Sequence, residues 1–162
     1  MGNQDTLYTS GEGTKNYFKD CYVEGTTDFI FGDATALFEN CEIHSKTDSY
    51  VTAASTPKDT IYGYVFKNCK LTANENVAKS YLGRPWRPYA KTVFISCEIG
   101  KPILPEGWHN WSKPDAETTS FYAEYNCTGE GASIANRVPW SHQLTKSEAK
   151  KYTIENILDA DT

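Results

Sequence analysis

The chain of 162 residues has one methionine, three histidines and no apolar run near the roughly 18 residues that a membrane-spanning helix needs. Helical membrane spans are excluded, and stretches such as Val93 to Ile95 are only of strand length. Basic residues are outnumbered, 16 Lys+Arg against 21 Asp+Glu, so a net charge of -5 offers no field to attract a nucleic-acid backbone. The signatures of the familiar hydrolases and nucleotide enzymes are also missing: there is no GxSxG elbow, no HExxH and no P-loop. His44, His109 and His142 are scattered without an evident partner, which argues against a Ser-His-Asp hydrolase and reads as three surface or capping residues. Five cysteines form no CxxC pair, which suggests neither a zinc site nor a complete disulfide framework. No charged segment followed by an apolar one comes after Met1, so no secretory leader is expected in the chain as it stands.

Aromatic residues, by contrast, are plentiful at 14%, with 11 Tyr, 7 Phe and 4 Trp, a mix suited to strands and to clefts that stack on sugars. The cysteines mark a repeat. Phe18-Lys-Asp20-Cys21-Tyr-Val23 recurs as Phe38-Glu-Asn40-Cys41-Glu-Ile43, Phe66-Lys-Asn68-Cys69-Lys-Leu71 and Phe94-Ile-Ser96-Cys97-Glu-Ile99, at intervals of 20, 28 and 28 residues. A recurrence of this size marks a solenoid, whose units bury their apolar faces only by stacking. The phrases are too short for helices and are bounded by Gly, Asn, Asp and Thr. They predict an all-β parallel β-helix with Cys21, Cys41, Cys69 and Cys97 in one inward row, serving packing rather than redox or metal chemistry. Phe121-Tyr-Ala-Glu-Tyr125, before Cys127, reads as a degenerate fifth phrase.

No low-complexity segment or Pro/Gly linker divides the chain, so residues 1–162 are expected to form one domain. Thr145-Lys-Ser-Glu148 fits a capping box that opens a short helix through about Tyr152, packed on the side or end of the solenoid. The longest irregular stretch, Gly100 to Thr118, holds Trp108 and Trp111, which either bind a ligand or staple the loop to the scaffold.

Chemistry has to come from residues other than the familiar nucleophiles, and two carboxylates draw attention by their context. Asp5 and Asp28 are 23 residues apart, about one coil, and neighbouring coils stack at about 4.8 Å. Two acids at that range can share the work of a protonated acid and an ionised nucleophile, the pair that ester cleavage needs. Arg84 lies 13 residues before Cys97, as Asp28 lies 13 before Cys41. If the coils keep register, Arg84 and Asp28 share one phase two coils apart, where a bidentate guanidinium would hold the carboxylate in place.

Gln4-Asp5-Thr6-Leu7-Tyr8, Asp28-Phe29-Ile30-Phe31-Gly32 and Leu82-Gly83-Arg84-Pro85-Trp86, in that order, resemble the three signature motifs of the pectin methylesterases (pectinesterases). The likeness continues through Tyr89, Thr92-Val93, Gly107-Trp108 and Phe121–Tyr125 to Asn136-Arg-Val-Pro-Trp140, nearly the whole chain, with a flavour nearer the bacterial members. It implies a right-handed parallel β-helix that removes methyl esters from galacturonosyl units of pectin. Carried over by motif, Asp28 would attack the ester carbonyl, Asp5 would protonate departing methanol and then activate water, Gln4 would hold the oxyanion and Arg84 would orient Asp28. Trp86, Tyr8, Phe31 and Trp108 would line the sugar subsites. The resemblance implies no metal or organic cofactor, pectin as partner, a monomer when full length, and a secreted, periplasmic or cell-wall location.

In the family, further coils and a second oxyanion-hole Gln precede the first motif, so this chain reads as an N-terminally truncated, C-terminal portion that alone would be far weaker than the full-length enzyme. Cys127 and Glu130 stand where Asn and Pro are usual. Two other readings remain: a non-catalytic polygalacturonate-binding fragment, and a calcium-dependent pectate-lyase-like solenoid, which would need clustered Asp ligands.

Overall fold

One corner repeats along the chain. The residue before each cysteine, Asp20, Asn40, Asn68, Ser96 and Asn126, has left-handed backbone with φ between 53 and 56°. Short polar side chains tolerate this conformation best. The corner takes the chain from one strand to the next in two residues, as in Asp20-Cys21 between Lys19 and Tyr22. The computed structural model describes the backbone of residues 7–9 and the chain from 14 to 159.

Within that span the strands follow in coils. The first holds β1 (Leu7–Thr9), β2 (Lys15–Lys19) and β3 (Tyr22–Gly25); the second β4 (Ile30–Gly32), β5 (Thr35–Glu39) and β6 (Glu42–Ser45). The third holds β7 (Tyr50–Ala54), β8 (Tyr64–Lys67) and β9 (Lys70–Ala73); the fourth β10 (Tyr81–Gly83), β11 (Lys91–Ile95) and β12 (Glu98–Ile99). After a short helix α1 (Ala116–Thr119) come β13 (Phe121–Tyr125) and β14 (His142–Gln143). Like strands of successive coils pair in parallel, giving sheets β1-β4-β7-β10, β2-β5-β8-β11-β13-β14 and β3-β6-β9-β12. This is the parallel β-helix that the repeat predicts.

Register turns the repeat into ladders. Phe18, Phe38, Phe66 and Phe94 are cross-strand partners, and their rings stack with centroids 4.8, 4.6 and 4.5 Å apart. The cysteine row runs beside them: the thiols of Cys41, Cys69, Cys97 and Cys127 reach the carbonyl oxygens of Phe18, Phe38, Phe66 and Phe94, each on the preceding coil. Cys127 thus extends the expected row by one member. Cys41, Cys69 and Cys97 are buried, all five thiols are free, and burial pushes Cys97 well above the ordinary thiol range and Cys41 up to about 11. Cys41, Cys69 and Cys97 fill the core as small apolar side chains.

The outward face of the six-stranded sheet is covered by the end of the chain. Thr145 and Glu148 form the expected capping box, opening α2 (Lys146–Ala149). The helix stops at Ala149 rather than near Tyr152, because Tyr152 packs edge-on against Tyr62 while its carbonyl accepts from Lys67 Nζ at 2.8 Å. A second helix that the sequence reading missed, α3 (Ile154–Asp159), follows, with Thr153 Oγ1 accepting the Asn156 N–H. It sets Ile157 on Leu37 and Val65, so the segment packs on the side of the solenoid.

Candidate active site

Asp28 ends the turn before β4. Its backbone is left-handed, with φ 51°, and its N–H donates to the Tyr50 carbonyl at 2.9 Å. The turn places the carboxylate against Arg84, two coils away: Nε donates to Oδ1 at 3.0 Å and Nη2 to Oδ2 at 2.5 Å. Side-chain exposure of 18% for Arg84 and 7% for Asp28 leaves the pair largely screened from water. A planar guanidinium bound at two points fixes the rotation of the carboxylate as well as its position.

The two residues do not share a phase, contrary to the equal spacing from their cysteines. Ile30, Thr52 and Gly83 are the register partners, so Arg84 stands one position after that row and Asp28 two before it. The second coil turns from β4 to β5 through only Asp33 and Ala34, whereas the fourth takes residues 84–90 between β10 and β11. Equal counts along such different paths do not mark equal places. The Arg84 side chain reaches back across the offset, and the preceding Gly83 packs where a Cβ would collide with the Thr52 hydroxyl of the neighbouring coil.

Arg84 is held from both sides. Its guanidinium carbon lies 3.9 Å from the ring centre of Tyr50 and 3.7 Å from that of Trp111. Trp111 arrives there from a left-handed turn, with φ 55° at Trp111 and 54° at Ser112. Two consecutive non-glycine residues in that region cost of order 1–2 kcal/mol each. The turn is fixed by Trp111 N–H to His109 Nδ1 at 2.9 Å, Ser112 N–H to Asn110 Oδ1 at 3.0 Å and Lys113 Nζ to the carbonyls of Pro85 and Trp86 at 3.2 and 3.0 Å. His109 caps this turn, as a capping residue would, but it is not on the open surface: its half-buried ring stands edge-on to the stacked pair Tyr50 and Tyr81. Burial first, and the Arg84 charge second, lower its affinity for a proton below the usual imidazole value.

Phe31 and Trp86 meet at 5.6 Å beside the Asp28–Arg84 pair, both half-buried, and form an aromatic rim. Trp108 does not join them. It is 1% exposed, stacked 4.3 Å from Tyr122 in the core, so the expectation that it lines a sugar subsite is corrected. Of the two tryptophans in the 100–118 loop, Trp108 staples and Trp111 covers Arg84. Sequence reading found the loop but not the division, since three-residue spacing does not tell which indole faces the core. Tyr122 was likewise missed: among the described residues its buried hydroxyl meets no hydrogen-bond partner, and burial with the nearby Asp28 charge pushes the phenol well above its usual range. Gln4 and Asp5 lie outside the described residues, and of Tyr8 only the backbone is described. Their neighbours pair as Leu7 with Ile30 and Tyr8 with Phe31, the 23-residue offset that separates Asp5 from Asp28. Among the described residues no three of His, Cys, Asp and Glu gather, as the calcium-dependent reading requires.

The family model described as Pectinesterase matches residues 1–161. The chain belongs to the pectinesterase family. It is 41% identical over 162 residues to Pectinesterase 31 of Arabidopsis thaliana, covering 99% of this chain and 50% of that protein. It spans between 28 and 50% of the length of the curated relatives compared. Among solved structures, a pectin methylesterase from carrot superposes with a TM-score of 0.86 at 30% identity, covering 96% of this chain and 55% of that one. PemA from Erwinia chrysanthemi gives 0.80 at 33%, covering 98% and 54%. A pectin methylesterase in complex with a hexasaccharide gives 0.81 at 32%, covering 100% and 55%. Pectinesterase-family structures from carrot and from Yersinia enterocolitica are equally distant, at 30%, so identity does not single out the bacterial side.

Proposed function

We propose that this chain is a pectinesterase catalytic domain whose Asp28 is the nucleophile in removing methyl esters from galacturonosyl units of pectin. The observation that carries the reading is the two-point grip of Arg84 on a nearly buried Asp28 beside the Phe31–Trp86 rim. A carboxylate so held presents one oxygen in a fixed direction, which suits in-place attack on an ester carbonyl.

In the first half, an Asp28 oxygen bonds to the C6 ester carbon and the methoxy group leaves as methanol, taking a proton from Asp5. This gives an anhydride between Asp28 and the sugar. In the second, Asp5 takes a proton from water as the hydroxide attacks the same carbon, the bond to Asp28 breaks to free its carboxylate, and the galacturonic acid product then ionises by giving its proton to solvent. Gln4 donates to the oxyanion, a contact worth about 3 kcal/mol when lost. Trp86, Phe31 and Tyr8 support the sugar rings. The same reading has the full-length enzyme act as a monomer outside the cytoplasm, where its polymer substrate lies.

Methanol release from highly methylated pectin tests this. The wild-type sequence should release methanol and Asp28→Asn should not. Undiminished release by Asp28→Asn would remove the nucleophile assignment, and pectin binding without methanol from either would favour the non-catalytic module.

A further inference from the structure

The strained turn at Trp111 and Ser112 gains its purpose from what it holds, the indole on Arg84, and a single imidazole nitrogen completes it. A backbone N–H only donates, so the contact from Trp111 N–H to His109 Nδ1 at 2.9 Å requires an unprotonated Nδ1 and leaves the ring proton on Nε2. The His109 backbone is itself anchored beside the site, its N–H bonded to the Gly83 carbonyl next to Arg84. We propose that neutral His109 is a positioning residue: it accepts Trp111 N–H, keeps the indole on the Arg84 guanidinium and so keeps Arg84 squared to Asp28. This rests on the function proposed above only in giving the alignment a catalytic consequence.

Protonation would break the arrangement. Nδ1–H and Trp111 N–H would then be two donors facing each other, and a second positive charge would sit near Arg84. The groups around the ring favour the neutral form. Tyr50 of β7 and Tyr81 of β10 stand edge-on to it, and Arg84 repels a proton. Across a cleft of about 230 Å³ stand Glu106, which is exposed, and Glu117, whose Oε2 is already taken by Asn110 Nδ2. Lys113, on the same loop, adds positive charge beside Trp111. Hydrogen bonding, burial and Coulomb repulsion therefore point the same way. The alignment is complete at neutral pH and loosens in acid.

The test follows both alignment and turnover. Trp111 amide and indole NMR signals, recorded as pH falls from 8 to 4.5, should shift with the titration of the His109 ring. In His109→Asn, where Oδ1 can accept the same N–H without titrating, that shift should vanish. In His109→Leu the signals should be displaced at every pH. For methanol release, His109→Leu should lower kcat roughly 10- to 100-fold with little change in KM, and His109→Asn should recover most of it and lose the His-linked acid limb. Trp111 signals indifferent to the His109 titration, or unmoved in His109→Leu, would overturn the proposal whatever the activity. If His109→Leu does not fold, the wild-type titration and His109→Asn decide alone. Trp111 coupled to His109 in a protein that releases no methanol would uphold the alignment and defeat the proposed function instead.

Discussion

Arg137 closes on Glu124 with two parallel hydrogen bonds, Nε to Oε2 at 2.8 Å and Nη2 to Oε1 at 2.9 Å, at the place where the phenylalanine ladder ends. Glu124 is the register partner of Phe94, and the side chains of Arg137 and Glu124 are 3% and 1% exposed. The remaining guanidinium donors reach the carbonyls of Leu104, Pro105 and Gly131. One buried cation thus ties the 100–118 loop, the Gly131 turn and β13 together. Gly107, at φ 76°, makes room, since a Cβ there would meet the Arg137 side chain.

Breaking that pair should be costly because the other charge is left buried. Arg137→Met is expected to destabilise by about 3–5 kcal/mol, whereas the double variant Arg137→Met/Glu124→Leu should recover a large part of the loss. Urea unfolding of the four members of the cycle measures this, and additivity of the two single changes would contradict it.

Position along the ladder should set the cost of removing a ring. Phe66, flanked by Phe38 and Phe94 and fully buried, is expected to lose about 3–5 kcal/mol on change to Ala. Phe18, partly exposed and stacked on Phe38, should lose clearly less. Chemical denaturation of both variants decides, and equal losses would mean that the stack does not act as a graded column.

The C-terminal cover should peel at high pH. Burial raises the Tyr152 phenol to about 12, from an ordinary value of 10.0. The unfolded phenol releases its proton near 10 while the folded one keeps it to about 12, so over that interval the unfolded state binds fewer protons. Stability from this group is complete below pH 10 and is lost as pH rises through the window. Absorbance titration at the phenolate band should show late-titrating tyrosines, Tyr17 and Tyr122 among them, with one fewer in Tyr152→Phe, whose alkaline unfolding should also be delayed.

Arg84→Lys keeps the charge and gives up the fork. With one-point contact the carboxylate is free to rotate, and methanol release should fall about 10²-fold while the fold persists. An unaltered rate would show that Asp28 needs only a positive neighbour.

The ladders were legible because Phe and Cys recur in the same order on each coil, and a solenoid writes its neighbours into its spacing. The Asp28–Arg84 contact was visible as chemistry but not as geometry: the count of 13 from each cysteine crosses corners of different length. His109 and Trp111 left no local signal, since their roles arise from a left-handed turn within an irregular loop. Trp108 was misread because a sugar platform and a core plug use the same side chain. Helix α3 was hidden in a segment whose apolar side is matched to Leu37 and Val65, far back in the chain on the outer face of the six-stranded sheet.

The left-handed residue before each cysteine also explains how this chain tolerates uneven growth. Cys21, Cys41, Cys69 and Cys97 follow one another at 20, 28 and 28 residues, yet the rings of neighbouring phenylalanines stay 4.5 to 4.8 Å apart. Each corner works as a reset: whatever length a loop has gained, the chain re-enters the next strand at a fixed angle. Insertions are therefore local events that do not accumulate from coil to coil. Loops can lengthen or change composition while the column beneath them keeps its spacing.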